Sequence, residues 1–309
     1  VDVLPTQDPA HATSIARIRA AIRAVIHGKD DVIDTALVAV VAGGHLLLDD
    51  VPGVGKTTLA NALAASIGGT FSRVQFTADL LPADVTGGLV LDRASGQLTF
   101  RPGPVFANVV LADELNRTSP RTQSALFEAM EEGRVTVDGT TRPLPRPFLV
   151  VATQNPHDAA GTFPLPDSQL DRFLMKLSLG YPAREAEREV LRRGRVGRPT
   201  VPAAVDPAAV IGLIVAAEGV SVPSEVEDLI LDVADRSRHD ERLLRGVSTR
   251  AALGWFRATR ARALVGGRAF AVPEDARALA PLVLGHRVLP RSGSGEAAIR
   301  ALLAPPKRA

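Results

Sequence analysis

The stretch VPGVGKTT, Val51 to Thr58, follows an apolar run, HLLLDD, and leads into LANALAASIG. Glycines at 53 and 55 allow a tight turn whose N–H groups point inward at oxygen atoms. The helix that follows adds its positive N-terminal end. Lys56 is then placed to neutralise the β- and γ-phosphates of a nucleotide, and Thr57 to offer its hydroxyl to Mg²⁺. Pro52, Gly53, Val54 and Gly55 form the apex of this cradle. Thr58 follows with no role of its own assigned, and reads as helix surface or packing. The full phosphate-loop pattern asks for a glycine five residues before Gly55, and Asp50 stands there.

Four later stretches could complete a hydrolytic site. VVLADE, Val109 to Glu114, is an apolar run ending in two acids. Asp113 is placed to hold Mg²⁺, directly or through water, and Glu114 to activate the attacking water as general base. VVATQNP, Val150 to Pro156, ends in Asn155, which either faces the γ-phosphate and its water or simply forms a turn before proline. In PDSQLDRF, Pro166 to Phe173, Arg172 is either the partner of adjacent Asp171 or an arginine finger for a neighbour's phosphate. In VSTRAALGW, Ser248 reads as an N-cap, which sets Arg250 against the helix dipole at a cost of roughly 0.3–1 kcal/mol. A phosphate would offset that cost, and so would a carboxylate such as Glu241.

These residues need elements to hold them. HLLLDD, SRVQFT, NVVLADE and PFLVVATQNP read as buried strands; TTLANALAASIGG and SPRTQSALFEAMEEG read as helices, the second started by Ser119–Pro120 and ended by Gly133. Upstream, SIARIRAAIRAVIH and DDVIDTALVAVVAGG are helical by spacing. Strands alternating with helices up to about Gly180 predict an α/β core with a parallel sheet covered on both faces. Two segments interrupt the alternation, residues 87–103 and 134–145, and both read as inserted β-hairpins; the second has Asp138–Gly139 at its turn. After Tyr181–Pro182 only helices are expected. The division is therefore a nucleotide-binding core over 1–180 and a helical lid over 181–309, with RSGSGE near the end as a short link.

The bulk numbers agree with such a chain. Of 309 residues 46% are hydrophobic but only 4% aromatic, so Ala, Val and Leu must build the core. There are 36 basic and 34 acidic residues, spread out apart from RRGRVGR, Arg192 to Arg198, which reads as a solvated connection. A clustered basic face is missing from the pattern, so nucleic acid is not the expected partner. With no cysteine there is no disulfide or thiolate metal site, as suits a reducing cytoplasm. The first residues do not form a signal peptide, and no apolar run is long enough to span a membrane.

Taken in order, the motifs resemble the AAA+ ATPases, and within them the MoxR family, from about Val25 to His286. The most specific pieces are LDDVPGVGKTTLA, LADELNRTSPRTQSALFEAMEEGRVTVDG, ATQNP and GTFPLPDSQLDRF. The resemblance implies a P-loop αβα core followed by a small helical lid, with ATP and Mg²⁺ bound. Lys56 and Thr57 match Walker A, Asp113 and Glu114 Walker B, and Asn155 sensor 1. Arg172 matches the arginine finger, and Arg250 matches sensor 2 on the lid. The hairpins match the helix-2 insert and the hairpin before sensor 1. It further implies a homo-oligomeric ring, expected as a hexamer, and chaperone-like remodelling of client protein complexes with a partner carrying a von Willebrand factor A domain. A magnesium-chelatase-type motor subunit, a DNA-acting motor and a nucleotide-gated binder that scarcely hydrolyses are the alternatives. Asp167 and Ser168 depart from the family's Glu and Ala, and Ala160 from a frequent acid; these bear on the subunit interface rather than on a phosphate contact.

Overall fold

The computed structural model describes residues 8–51, 53–94, 96–154, 162–194 and 201–304. Along the chain, α1 (Pro9–Arg23) and α2 (Asp30–Val41) precede β1 (His45–Asp49), α3 (Lys56–Ser66) and β2 (Phe71–Gln75). A short α4 (Pro82–Thr86) leads into the hairpin β3 (Gly87–Leu91) and β4 (Leu98–Pro102), then β5 (Val109–Asp113) and α5 (Pro120–Glu132). The second hairpin, β6 (Arg134–Val137) and β7 (Thr140–Pro143), is followed by β8 (Leu149–Gln154), α6 (Asp167–Leu170) and β9 (Phe173–Leu177). The rest is α7 (Arg184–Arg193), α8 (Pro207–Glu218), α9 (Ser224–His239), β10 (Leu243–Arg245), α10 (Thr249–Val265), α11 (Pro273–Leu284), β11 (Leu289–Pro290) and α12 (Gly295–Leu303).

Five strands form one parallel sheet in the order β2-β5-β8-β1-β9. Side chains alternate across it, as a pleated strand requires. Leu46, Leu48, Val109, Leu111 and Val151 face one core with α1, α2 and α3. Leu47, Val110, Ala112, Val150 and Ala152 face the other, where α5 supplies Leu126, Phe127 and Met130. Helix α5 begins as its sequence indicates: the Ser119 hydroxyl accepts from the Thr122 N–H, Pro120 opens the first turn, and Gly133 at φ +62° ends it. The first core runs on without a break into α8, α9, α10 and α11 through Val210, Ile230, Trp255 and Leu279.

Both hairpins pair as expected, β3 with β4 from Gly87↔Pro102 to Leu91↔Leu98, and β6 with β7 across Asp138–Gly139, both at positive φ. They touch each other through the Arg142 guanidinium, 3.9 Å above the Phe100 ring. Three details differ from the sequence reading. The helical part contains a two-stranded β10–β11 pair. The expected link near the end, residues 291–296, is a connection only as far as Ser294, whose hydroxyl accepts from the Ala297 N–H and caps α12. FLMKL is a fifth sheet strand, whose Lys176 is paired with Asp49.

Candidate active site

The loop between β1 and α3 has the conformation its glycines suggest. Gly53 lies at φ +88° and Gly55 at φ +102°, and no atom lies within 4 Å of where a Cβ would stand. Backbone conformation, not crowding, therefore demands glycine at both. Gly55 caps α3 with no side-chain hydrogen bond, leaving the first N–H groups of the helix to face a ligand. Val54 packs against the core and anchors the loop. The Lys56 amine donates to the Asp50 carbonyl at 2.7 Å. Gly53, Gly55, Lys56, Thr57 and Thr58 line one wall of a cleft of about 380 Å³, and Arg73, Asp113, Glu114 and Thr153 line the other. Pro52 and Asn155 lie outside the described residues, as does Ala160.

The two acids sit where β5 ends, beside β8, but they point to different partners. One Asp113 oxygen accepts from Arg73 of β2, at 2.6 Å from Nη2 and 3.2 Å from Nε. Its other oxygen accepts from the Thr153 hydroxyl at 2.7 Å. Glu114 adopts φ +56°, ψ +48°, a left-handed conformation uncommon outside glycine. Its N–H donates to the same Thr153 hydroxyl at 2.9 Å, while its carboxylate pairs with Arg117 at 3.0 Å. Thr153 is 1% exposed and sits at the inner wall of the cleft. Sequence reasoning passed over it, although it lies inside the quoted VVATQNP; a β-branched hydroxyl two residues before Asn155 was the available signal.

Asp50, the departure from the loop pattern, is buried at 7% exposure and turned away from the cleft. Its carboxylate accepts from the Ser178 hydroxyl (2.7 Å) and from the N–H groups of Leu179 (2.5 Å) and Gly180 (3.1 Å).

Arg172 and Arg250 come together elsewhere. Both donate to the Glu131 carboxylate at the end of α5, Arg250 at 2.6 Å. Arg172 also donates to the Phe127 carbonyl at 2.9 Å. Two of the alternatives left open by the sequence are set aside here. Asp171 does not pair with Arg172 but with buried Arg287, at 3.2 Å. The carboxylate offsetting Arg250 is Glu131 of the core, not Glu241. Arg250, first among its contacts, holds the Glu131 carboxyl below the usual range. Arg287 also donates to the carbonyls of Asp171 (3.0 Å) and Phe173 (2.8 Å), and burial lowers its pKa to about 10. With Arg257, these residues line a second cavity of about 330 Å³, where four guanidinium groups face the carboxylates of Glu131 and Asp171.

This second cavity includes Gly44 and His45, where β1 begins, whereas the phosphate loop follows the end of β1. At about 3.3 Å per residue, five strand residues separate the two by roughly 16 Å. The arginines thus lie at the opposite end of the sheet from the glycine loop between β1 and α3. Departing Asp167 pairs across to Arg245 at 2.5 Å.

The donor set in the first cleft suits ATP and Mg²⁺: glycine N–H groups and a lysine for phosphate, a threonine hydroxyl and a carboxylate for a hard cation. No group of three or more His, Cys, Asp or Glu able to hold a metal by itself occurs among the described residues. Magnesium there would have to complete its shell with phosphate oxygens and water, as it commonly does.

Comparison with known proteins agrees with this arrangement. Residues 45–175 match the ATPase family associated with various cellular activities (AAA), and residues 235–302 match the AAA lid domain. YeaC of Bacillus subtilis, itself uncharacterized, is 46% identical, covering 87% of this chain and 84% of its own. Chaperone MoxR1 of Mycobacterium tuberculosis is 40% identical over 87% and 74%, and Protein MoxR of Methylorubrum extorquens 30% identical over 88% and 87%. A crystal structure from Cytophaga hutchinsonii, described as a candidate ATPase, superposes with a TM-score of 0.88 at 35% identity, covering 95% of this chain and 94% of that one.

Proposed function

The chain belongs to the MoxR family of AAA+ ATPases and hydrolyses ATP; from that premise we propose how its residues divide the work. Lys56 and the N–H groups at the start of α3 hold the β- and γ-phosphates. Thr57 and Asp113 would hold Mg²⁺, and the ion would supply charge neutralisation at the phosphate oxygens. Arg73, which holds one Asp113 oxygen, would share that carboxylate with the cation. Glu114 takes the proton of the attacking water, held in its left-handed conformation by Thr153. Asn155 orients that water.

Arg172 and Arg250 act on the neighbouring subunit's nucleotide, in a ring that we expect to be a hexamer. The observation that carries this reading is their shared hold on Glu131, at the sheet end remote from their own phosphate loop. A phosphate arriving from the neighbour would meet both guanidinium groups as Glu131 orients them. Such a contact is heterologous, the type that generates a ring where its rotation closes.

The core over 1–180 would then work against the lid over 181–309, with the hairpins as client contacts. Leu91 and Leu98, paired near the first hairpin's tip, are 57% and 64% exposed. An apolar tip suits a polypeptide client better than a nucleic acid backbone. By family resemblance the partner is a von Willebrand factor A domain protein and the work is remodelling of client complexes. The need for ATP suits a cytoplasmic setting; no helix among the described residues is long and apolar enough to cross a membrane. Glu114→Gln should bind ATP and release almost no phosphate. Used as bait with ATP, it should retain a von Willebrand A protein. Undiminished phosphate release would remove Glu114 from catalysis, and recovery of nucleic acid alone would overturn the client reading.

A further inference from the structure

We propose that Asp50 is a positioning residue that couples the phosphate loop to the connection between core and lid. Strand β9 pairs with β1 as far as Leu48↔Leu177, and there the ladder ends. Beyond it, the N–H groups of Leu179 and Gly180 still need acceptors, and Leu179 is buried. The Asp50 carboxylate supplies them, with the Ser178 hydroxyl as a third donor. It extends the ladder by side chain just where the chain leaves the sheet for the helices. The preceding residue, Asp49, is bound to Lys176 of β9, so two consecutive acids fasten the end of β1 to this one strand. On the far side, the Lys29 amine donates to the Tyr181 carbonyl at 2.7 Å and fixes the next residue of the connection.

The main chain of the same residue faces the other way. Its carbonyl accepts from the Lys56 amine, the group that takes up phosphate. Asp50 therefore joins a phosphate ligand and residues 178–180 within one amino acid. Phosphate drawing on Lys56 changes the hold on the Asp50 carbonyl, and the carboxylate carries that change to the root of the lid. A glycine, as the general loop pattern has, cannot do this. Nor can asparagine do it fully: three donors converge on the carboxylate, and an amide would turn its own N–H₂ toward one of them.

The coupling rests on the reading of residues 53–57 as the phosphate cradle, and the test keeps the two apart. The chain has no cysteine, so Glu128→Cys on α5 and Asp228→Cys on α9, both exposed positions, give a clean dye pair across core and lid. Affinity for a fluorescent ATP analogue, the change in energy transfer on ATP binding, and kcat are measured in that background and in its Asp50→Asn and Ser178→Ala derivatives. With Asp50→Asn we expect affinity within about threefold, loss of roughly half or more of the transfer change at saturating ATP, and a kcat about tenfold lower at little altered KM. Ser178→Ala, which removes one donor and leaves both backbone N–H groups bound, should shift the same readouts in the same direction by less. Full transfer changes in both variants would overturn the coupling, as would a defect of Asp50→Asn that saturating ATP repairs. The absence of any ATP-driven change in the parent pair would also overturn it. Unweakened nucleotide binding by Lys56→Ala would instead overturn the cradle.

Discussion

Replacing Thr153 by valine keeps the size and the β-branch and removes only the hydroxyl that joins the two acids. That hydroxyl donates to Asp113 at 2.7 Å and accepts from the Glu114 N–H at 2.9 Å. The threonine is 1% exposed, so both bonds are largely shielded from bulk water. A hydrogen bond to a charged group is worth about 1.5–3 kcal/mol, and an orphaned buried N–H costs about 1–3 kcal/mol. A left-handed non-glycine conformation costs on the order of 1–3 kcal/mol and persists only where its surroundings enforce it. With the enforcing bond gone, Glu114 relaxes toward ordinary φ and its carboxylate leaves the water. At about 1.4 kcal/mol per tenfold, a bias of 1.5–3 kcal/mol predicts a kcat lower by about ten- to a hundredfold. KM for ATP should stay within about threefold, because the phosphate loop is untouched. Thr153→Ser keeps the hydroxyl and should keep kcat within about threefold. Phosphate release at saturating ATP, beside thermal unfolding of each variant, measures all of this. A valine variant that melts earlier yet turns over at the parent rate would refute the positioning of Glu114 by Thr153.

Other outcomes follow from the second cavity and from burial. Glu131→Ala releases Arg172 and Arg250 from their common carboxylate; because that carboxylate is 41% exposed, stability should change by less than about 1 kcal/mol. We expect kcat to fall about tenfold or more as both arginines lose their orientation, read by phosphate release from assembled protein. Arg73→Ala frees one Asp113 oxygen for Mg²⁺, so the Mg²⁺ concentration for half-maximal activity should drop, by about two- to fivefold. Burial lowers the pKa of His45 from 6.5 to about 4, its ring held between the Met130 carbonyl and the Val150 N–H. The unfolded chain takes up that proton first as pH falls, so the stability is present above about 6.5 and is lost on acidification toward 4. His45 should contribute a loss of about 2 kcal/mol between pH 7 and pH 5 in denaturant unfolding, and His45→Asn should remove that share while buried His286, lowered to about 3, keeps its own.

Much of this architecture is legible in local sequence. HLLLDD, NVVLADE and PFLVVATQNP are apolar runs that only a sheet covered on both faces can bury, and Asp138–Gly139 announces its hairpin. The glycine loop and the paired acids, which line one cleft, are marked by their spacing. What escapes local reading is partnership across the chain. Asp50 meets residues nearly 130 positions away, Glu131 and Arg250 are 119 apart, and Thr153 reaches back 39 and 40 positions to the acids. Nothing near Arg250 says that its counter-charge sits on α5, which is why Glu241 stood as the natural candidate. Strand β9 was obscured by Lys176, a charge inside an apolar run that makes sense only beside Asp49. Helix α12 was hidden because Gly295 opens it and Ser294 caps it, two residue types that also make links.

Whether one site is built from two subunits is tested by mixing. Lys56→Ala lacks the phosphate contact but keeps Arg172; Arg172→Ala keeps the phosphate loop but lacks the arginine. Each alone should be nearly inactive. If the arginine acts across the interface, a ring assembled at random from equal parts has an intact loop facing an intact arginine at about a quarter of its interfaces. The mixture should then recover roughly a quarter of the parent rate. A mixture no more active than its two components would mean that Arg172 serves its own chain, in contradiction to its place at the far end of the sheet.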